Sequence, residues 1–347
     1  MGRWLVLGLL AVGCCAGDSG STGLAPWPLA TFPEMPESMQ DVPESRIELG
    51  RLLFYDPILS VDHETACATC HSEIWGMGDG LARGIGHGAG LGAGPRRAGL
   101  NRLRRNPPAL YNLAWRESLL WDGRVETLEE QATMPIVDAL ELGTTKSAVI
   151  EELSVIPEYV ERFAEAFPDD PIVSVENLAS ALAAFERTIV SNRSAYDGYA
   201  EGNYALLGER EIEGMYLFAE MGCDECHVPP LFESEVFANR NVPEVADVED
   251  LGREEHTSRP EDRKKFRTPS LRNLEATEPY FHNGSVKEML NAIRHELDQS
   301  GLPYTEDDVK LLRTFIHNAL RDETNNPVRP LEVPSGLHLP IDPAGPG

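Results

Sequence analysis

The chain has 347 residues, with 57 acidic against 30 basic side chains and a formal net charge of −27. That balance argues against nucleic acid as a partner and suits a body that steers a cationic redox protein, the plain alternative being a generally acidic surface. After residue 13 no apolar run is long enough to cross a bilayer.

In chain order, Met1 to Arg3 followed by the apolar run Trp4 to Gly13 reads as a secretory signal, since the run is too short to span a membrane. Ala11-Val12-Gly13-Cys14 has the form of a bacterial lipoprotein cleavage box. Residues 1–14 would then be a lipoprotein-type signal segment cut before Cys14, which becomes a lipid-bearing N terminus and the chain's sole membrane contact; an ordinary signal cut nearby is the alternative. Residues 15–45, rich in Gly, Ser and Pro, read as a linker and irregular arm. A helix is expected to end near Phe54, ahead of Cys67-Ala68-Thr69-Cys70-His71. Ser174 opens a helical run with Leu178, Leu182, Phe185 and Ile189 at matching spacing. A helix over 209–221 precedes Cys223-Asp224-Glu225-Cys226-His227. Residues 237–263 read as a long polar loop. Ser285 opens a helix carrying Met289, Ala292 and Ile293, and Thr305 to Asp308 is a capping-box start for Val309, Leu312, Phe315 and Ile316. The Pro-rich tail from 326 to 347 should be extended. No alternating strand series appears. The pattern predicts an all-α protein of two small haem domains, over 46–170 and 171–325, with long loops between helices.

The two pentads carry the chemistry. Cys-x-x-Cys-His is the attachment pattern for c-type haem. The thiols of Cys67 and Cys70, or of Cys223 and Cys226, add across the vinyl groups, and His71 or His227 binds the iron from one side. A zinc site or a redox dithiol also uses paired cysteines, but here each pair has a histidine directly attached and no further cysteine pair is available.

Further stretches, in order, are Leu49 to Asp56 (LGRLLFYD), Ile85 to Gly88 (IGHG), Arg105 to Pro108 (RNPP), Trp121 to Arg124 (WDGR), Leu128 to Gln131 (LEEQ), Glu141 to Gly143 (ELG), Phe266 to Asn273 (FRTPSLRN) and Pro279 to Gly284 (PYFHNG). With the pentads, their order and spacing resemble the bacterial dihaem cytochrome c peroxidases and the related MauG-like enzymes. The resemblance implies two cytochrome c-like domains, two covalent haem c groups and export to the periplasm. It implies peroxide chemistry at the N-terminal haem, and electrons from a small cytochrome c or a copper protein (cupredoxin) received at the C-terminal one. His87 matches the removable sixth iron ligand, against the plain reading of a loop histidine. Glu141 matches the distal acid–base residue and Gln131 the neighbouring amide, both otherwise ordinary solvated positions. Trp121 matches a relay between the haems, otherwise a packing residue. Asn106, Thr277 and Pro279 match a calcium site between the domains, otherwise a turn without metal; Arg272 and His282 would line the second haem or the interface. Members are often homodimers.

Two departures stand out. Where the family places Met or Tyr on the far side of the second haem, this chain has Glu296, whose carboxylate would lower the potential of the site; His295, one residue earlier, is taken as the ligand instead, ahead of an open or water-bound iron. The stretch Ala89 to Arg104 is an added Gly- and Arg-rich loop, whose arginines meet haem propionates or a partner, or are simply solvated. Three functions follow: a peroxidase that reduces hydrogen peroxide to water; a MauG-like enzyme that oxidises Trp or Tyr of a partner protein; and a dihaem electron carrier without catalysis.

Overall fold

The structure is a computed structural model and describes residues 29–245, 248–322 and 324–341. The expected signal, Cys14, the first part of the arm and the end of the tail lie outside the described residues.

Helix α1 (Glu44–Tyr55) buries Leu49, Leu53 and Phe54 and stops at Asp56. The Asp56 carboxylate accepts from the Ile58 N–H (3.0 Å), the Ser335 hydroxyl (2.7 Å) and the Tyr159 hydroxyl (2.6 Å), which fixes the chain leaving the helix. The single turn α2 (Cys67–Cys70) carries the first pentad. Then come α3 (Leu128–Val137), α4 (Lys146–Ser154), α5 (Pro157–Ala166) and α6 (Val175–Arg187). Thr127, Thr145 and Ser174 cap α3, α4 and α6, each hydroxyl accepting from the N–H three residues on.

In the second half α7 (Ala195–Ala200) and α8 (Glu209–Glu220) lead to a short turn, Cys223–Glu225, that begins the second pentad. Strand β1 (Phe237–Ala238), helix α9 (Glu254–Thr257) and strand β2 (Phe266–Arg267) follow, then α10 (Met289–Ser300) and α11 (Glu306–Thr314). Thr305 and Asp308 form the expected reciprocal cap: the Asp308 N–H donates to the Thr305 hydroxyl and the Thr305 N–H to the Asp308 carboxylate. β1 and β2 pair antiparallel, Phe237 opposite Arg267, and make the only sheet among the described residues. The fold is therefore all-α, as expected, although 237–263 is less irregular than its composition suggests. One helix start differs. Ser285 does not open α10: the Tyr280 N–H donates to Val286 O (2.7 Å) and the Ser285 N–H to Asn283 Oδ1 (3.0 Å), which delays the helix to Met289. No helix among the described residues is long and apolar enough to cross a membrane.

The same crossing occurs twice. At Gly50 of α1 an added Cβ would lie 1.9 Å from Ala181 O and 2.9 Å from Phe185 Cβ of α6. At Gly214 of α8 it would lie 2.3 Å from Leu311 O of α11 and 2.9 Å from Phe315 Cβ. In each half a glycine lets the helix before the pentad touch the backbone of the half's longest-range partner helix, with a phenylalanine beside it. Two buried clusters result. One gathers Leu49, Leu53, Leu153, Phe163 and Phe185; the other gathers Tyr196, Phe218, Phe232, Leu312 and Phe315. By packing, α6 belongs to the first cluster, so the change of core falls between Ile189 and Tyr196 rather than at 170–171. The tail returns to the first half, where Val333 is buried and Arg329 pairs with Glu73 at 2.9 Å.

On an exposed helix Gly→Ala gains up to about 1 kcal/mol. Here Gly50→Ala and Gly214→Ala should each lose about 2–3 kcal/mol by overpacking against a carbonyl, seen as a lower midpoint in denaturant unfolding of the haem-loaded protein. Unchanged midpoints would show that the crossings are looser than drawn.

Candidate active site

At the first pentad, His71 is half-buried, and its Nδ1–H donates to Met77 O at 3.0 Å. Burial lowers its pKa, so the ring is neutral and Nε2 keeps its lone pair. The second pentad repeats this. His227 Nδ1 lies 3.0 Å from Pro269 O and 3.2 Å from Phe232 O, and burial pushes its pKa down to about 4. A neutral imidazole oriented through one nitrogen, with the other free, is the form that binds a metal. Beside it are the paired thiols, Cys67 with Cys70 and Cys223 with Cys226, none of them in a disulfide. The donor sets therefore fit two haem c groups.

Around the second pentad opens a cavity of about 1760 Å³ lined by Cys223, Cys226 and His227. Trp121, His282 and Met289 line it as well, as do Asn106, Thr277 and Pro279. The Trp121 indole N–H donates to Asn106 O at 2.8 Å, and Trp121 O accepts the Arg267 N–H at 2.8 Å. The backbone around Pro108, which also lines the cavity, hydrogen-bonds the His71 ring. Trp121 thus stands on the seam between the first pentad's histidine and the second cavity. Arg272 is fully buried and makes a two-pronged pair with Asp197 (2.6 and 2.9 Å).

The structure does not bring His295 to this cavity. Its Nε2 is hydrogen-bonded to Arg240 O at 2.8 Å, and its ring stands edge-on to Phe281. Glu296 lines the cavity instead, held by Arg240 Nε at 2.7 Å, with its charge acting on both Cys223 and Cys226. On α10 the two residues point about 100° apart; that rotation is why one faces the cavity and the other the loop.

At the first site Gln131 and Glu141 come from one unit, α3 and the turn that folds back on its end. The Leu142 N–H donates to Pro135 O and the Thr144 N–H to Ile136 O, both at 3.0 Å. Gln131 is half-buried on the helix. Burial first, with Asp138 adding to it, raises the Glu141 pKa to about 7, against the pull of Arg124. Its charge acts on Cys67 and Cys70. His87 is held by hydrogen bonds: its Nε2 lies 3.0 Å from Asn101 Nδ2 and 3.1 Å from Ala139 O.

Four residues near this site were invisible to pattern reading. Arg97 is buried and acts on Cys70; Asn101 holds His87. Asp79 and Glu186 are buried acids, raised by burial to about 7 and about 8, acting on Cys70 and Cys67 respectively. No spacing marks any of them; Arg97 and Asn101 lay in the 89–104 stretch already singled out, where a solvated loop was an open reading.

A sequence model of the family described as "Di-haem cytochrome c peroxidase" matches residues 44–205. The cytochrome c551 peroxidase of Pseudomonas aeruginosa is 33% identical over 301 residues, covering 83% of this chain and 84% of that one. The methylamine utilization protein MauG of Methylorubrum extorquens is 34% identical over 253 residues, 72% of this chain and 68% of that one. Among solved structures, a MauG-like protein associated with microbial copper homeostasis superposes with a TM-score of 0.72 at 27% identity, over 87% of this chain and 97% of the other. The chain belongs to the dihaem cytochrome c peroxidase and MauG-like family of haem-containing oxidoreductases.

Proposed function

We propose that this peroxidase reduces hydrogen peroxide to water at the N-terminal haem, with two protons and with two electrons that a small cytochrome c or copper protein delivers through the C-terminal haem. The observation that carries the reading is the Glu141 carboxyl, set by the turn after α3 where its charge reaches both thiols of the first pentad, while His87 Nε2 is engaged by Asn101. When bound, the haem would supply a redox-active iron, held by His71, Cys67 and Cys70. Glu141 accepts the proton from one peroxide oxygen and returns it to the departing one; a carboxyl whose pKa lies near 7 exchanges protons in both directions at neutral pH. Gln131 donates a hydrogen bond to the oxygen substrate. Trp121, fixed by Asn106 and Arg267, lies on the electron route. Asn106, Thr277 and Pro279 would hold calcium through amide and backbone oxygens, the donors that this cation favours. With His227, Glu296, which lines the cavity and is braced by Arg240, would hold the C-terminal haem in preference to His295. Export to the periplasm, a lipid anchor at Cys14 and pairing into a homodimer belong to the same reading.

The likeness to MauG supports a second reading, in which the oxidising equivalents are passed to Trp or Tyr of a partner protein. Kinetics separate the two. Fast turnover with peroxide and a reduced cytochrome marks the peroxidase; slow turnover with a persistent, doubly oxidised protein marks the second.

Glu141→Gln keeps the shape and removes the proton carrier, so kcat for peroxide should fall about 10²–10⁴-fold with haem content intact. A loss under about tenfold would remove Glu141 from the chemistry. At the second haem, His295→Ala should leave the electronic spectrum and potential as they are, whereas Glu296→Met should raise the potential and add the signature of a thioether ligand. The opposite pattern would restore His295 as the ligand.

A further inference from the structure

We propose that Asn101 and Arg97 are positioning residues that hold His87 off the N-terminal haem, so that the oxidised resting enzyme already offers peroxide an open site. The inference rests on the peroxidase reading above and concerns how its first site is kept open.

The family resemblance makes His87 a ligand that reduction of the other haem releases. In this chain the release is built into the resting fold. Residues 84–87 run beside 101–105 as a narrow ribbon: the Gly86 N–H donates to Asn101 O and the Leu103 N–H to Gly84 O, both at 2.8 Å. From this ribbon Asn101 Nδ2 donates to His87 O at 2.9 Å and reaches His87 Nε2 at 3.0 Å. If Nε2 carries the proton it donates instead to Ala139 O, 3.1 Å away. In either tautomer the nitrogen is in use.

The neighbours of His87 are held as well. The Arg97 guanidinium is 6% exposed and donates to Ile85 O, to Gly86 O (2.9 Å) and to the Thr65 hydroxyl (2.9 Å). Charge-assisted bonds of this kind are the stronger sort, and breaking them would leave a buried cation unpaired. On the other side Asp62 accepts the Gly88 N–H at 2.6 Å. The His87 N–H donates to Glu141 O at 2.8 Å, which ties the histidine's backbone to the turn that presents the acid–base residue. The ring itself lies against Gly143, where φ is +67° and a Cβ would come within 2.7 Å of it. Moving His87 over the first pentad would break this set together. The stretch 89–104, which supplies Arg97 and Asn101, is the one that departs from the family pattern; its function is to brace the loop before it.

The test uses the full dihaem protein, fully oxidised and with no reductant. The expected result is a high-spin ferric signal from the N-terminal haem in EPR and electronic spectra, and a spectral response to stoichiometric hydrogen peroxide. Asn101→Ala should convert that signal to low spin and slow the peroxide response at least about tenfold, because the open fraction falls. His87→Ala in the Asn101→Ala background should bring the high-spin signal back, which a merely structural role for Asn101 would not produce. Arg97→Gln should shift the signal in the same direction, and Asn101→Ala keeps the test alive if that variant fails to fold. A low-spin N-terminal haem in the oxidised wild type overturns the proposal, as does a high-spin signal that Asn101→Ala leaves unchanged. If the oxidised protein is inert but the half-reduced protein turns over peroxide with a reduced cytochrome, the brace is wrong and the peroxidase reading stands; if neither state reacts, the reading itself fails.

Discussion

Two glycines set the distance on which everything else depends. At Gly50 and Gly214 helix meets helix closely enough for an added methyl to strike a backbone carbonyl. Such a contact fixes the crossing in both rotation and height, because a bulkier residue at either position would force the helices apart. The pentads begin soon after: α1 ends twelve residues before Cys67, and α8 ends three before Cys223. Each crossing therefore anchors the point from which a cysteine pair and a histidine are presented. The helices are short and the loops long, and the loops are ordered by what surrounds each haem site rather than by helical repeat.

The two halves meet through charge as well as apolar contact. Arg105 bridges Asp122 (2.7 Å) and Asp250 (2.7 Å), with all three side chains nearly removed from solvent. Burial opposes the charged form of each carboxylate, yet the Arg105 guanidinium holds both below their usual range. A pair so placed is costly to break, since removing one partner strands the others without water. Asp122 follows Trp121 directly, and the Trp121 indole and carbonyl are bonded on either side. The tryptophan on the seam is thus pinned by residues from both halves.

Much of this was legible in the residues. The pentads named the cofactor chemistry, because thiol spacing and the attached histidine are local. The caps at Ser174 and Thr305 were local too, and the structure makes both bonds. What failed was whatever depended on a distant partner. Ser285 has the chemistry of a helix cap, but a bond between Tyr280 and Val286 overrides it. His295 has the better ligand chemistry of two adjacent residues, but α10 turns Glu296 to the cavity. Arg97 in a glycine-rich loop gave no sign that it would be buried, since the carbonyls that it satisfies, Ile85 and Gly86, lie in another segment.

The division of labour between the sites is the central claim, and single-haem proteins test it most directly. One variant replaces Cys67 and Cys70 with Ala, the other Cys223 and Cys226, and each is mixed with peroxide after reduction by a small cytochrome. The account predicts that the protein keeping only the N-terminal haem still reacts with peroxide but no longer turns over on the donor. The protein keeping only the C-terminal haem should accept electrons and ignore peroxide. The reverse assignment, or two variants that each turn over alone, would contradict it.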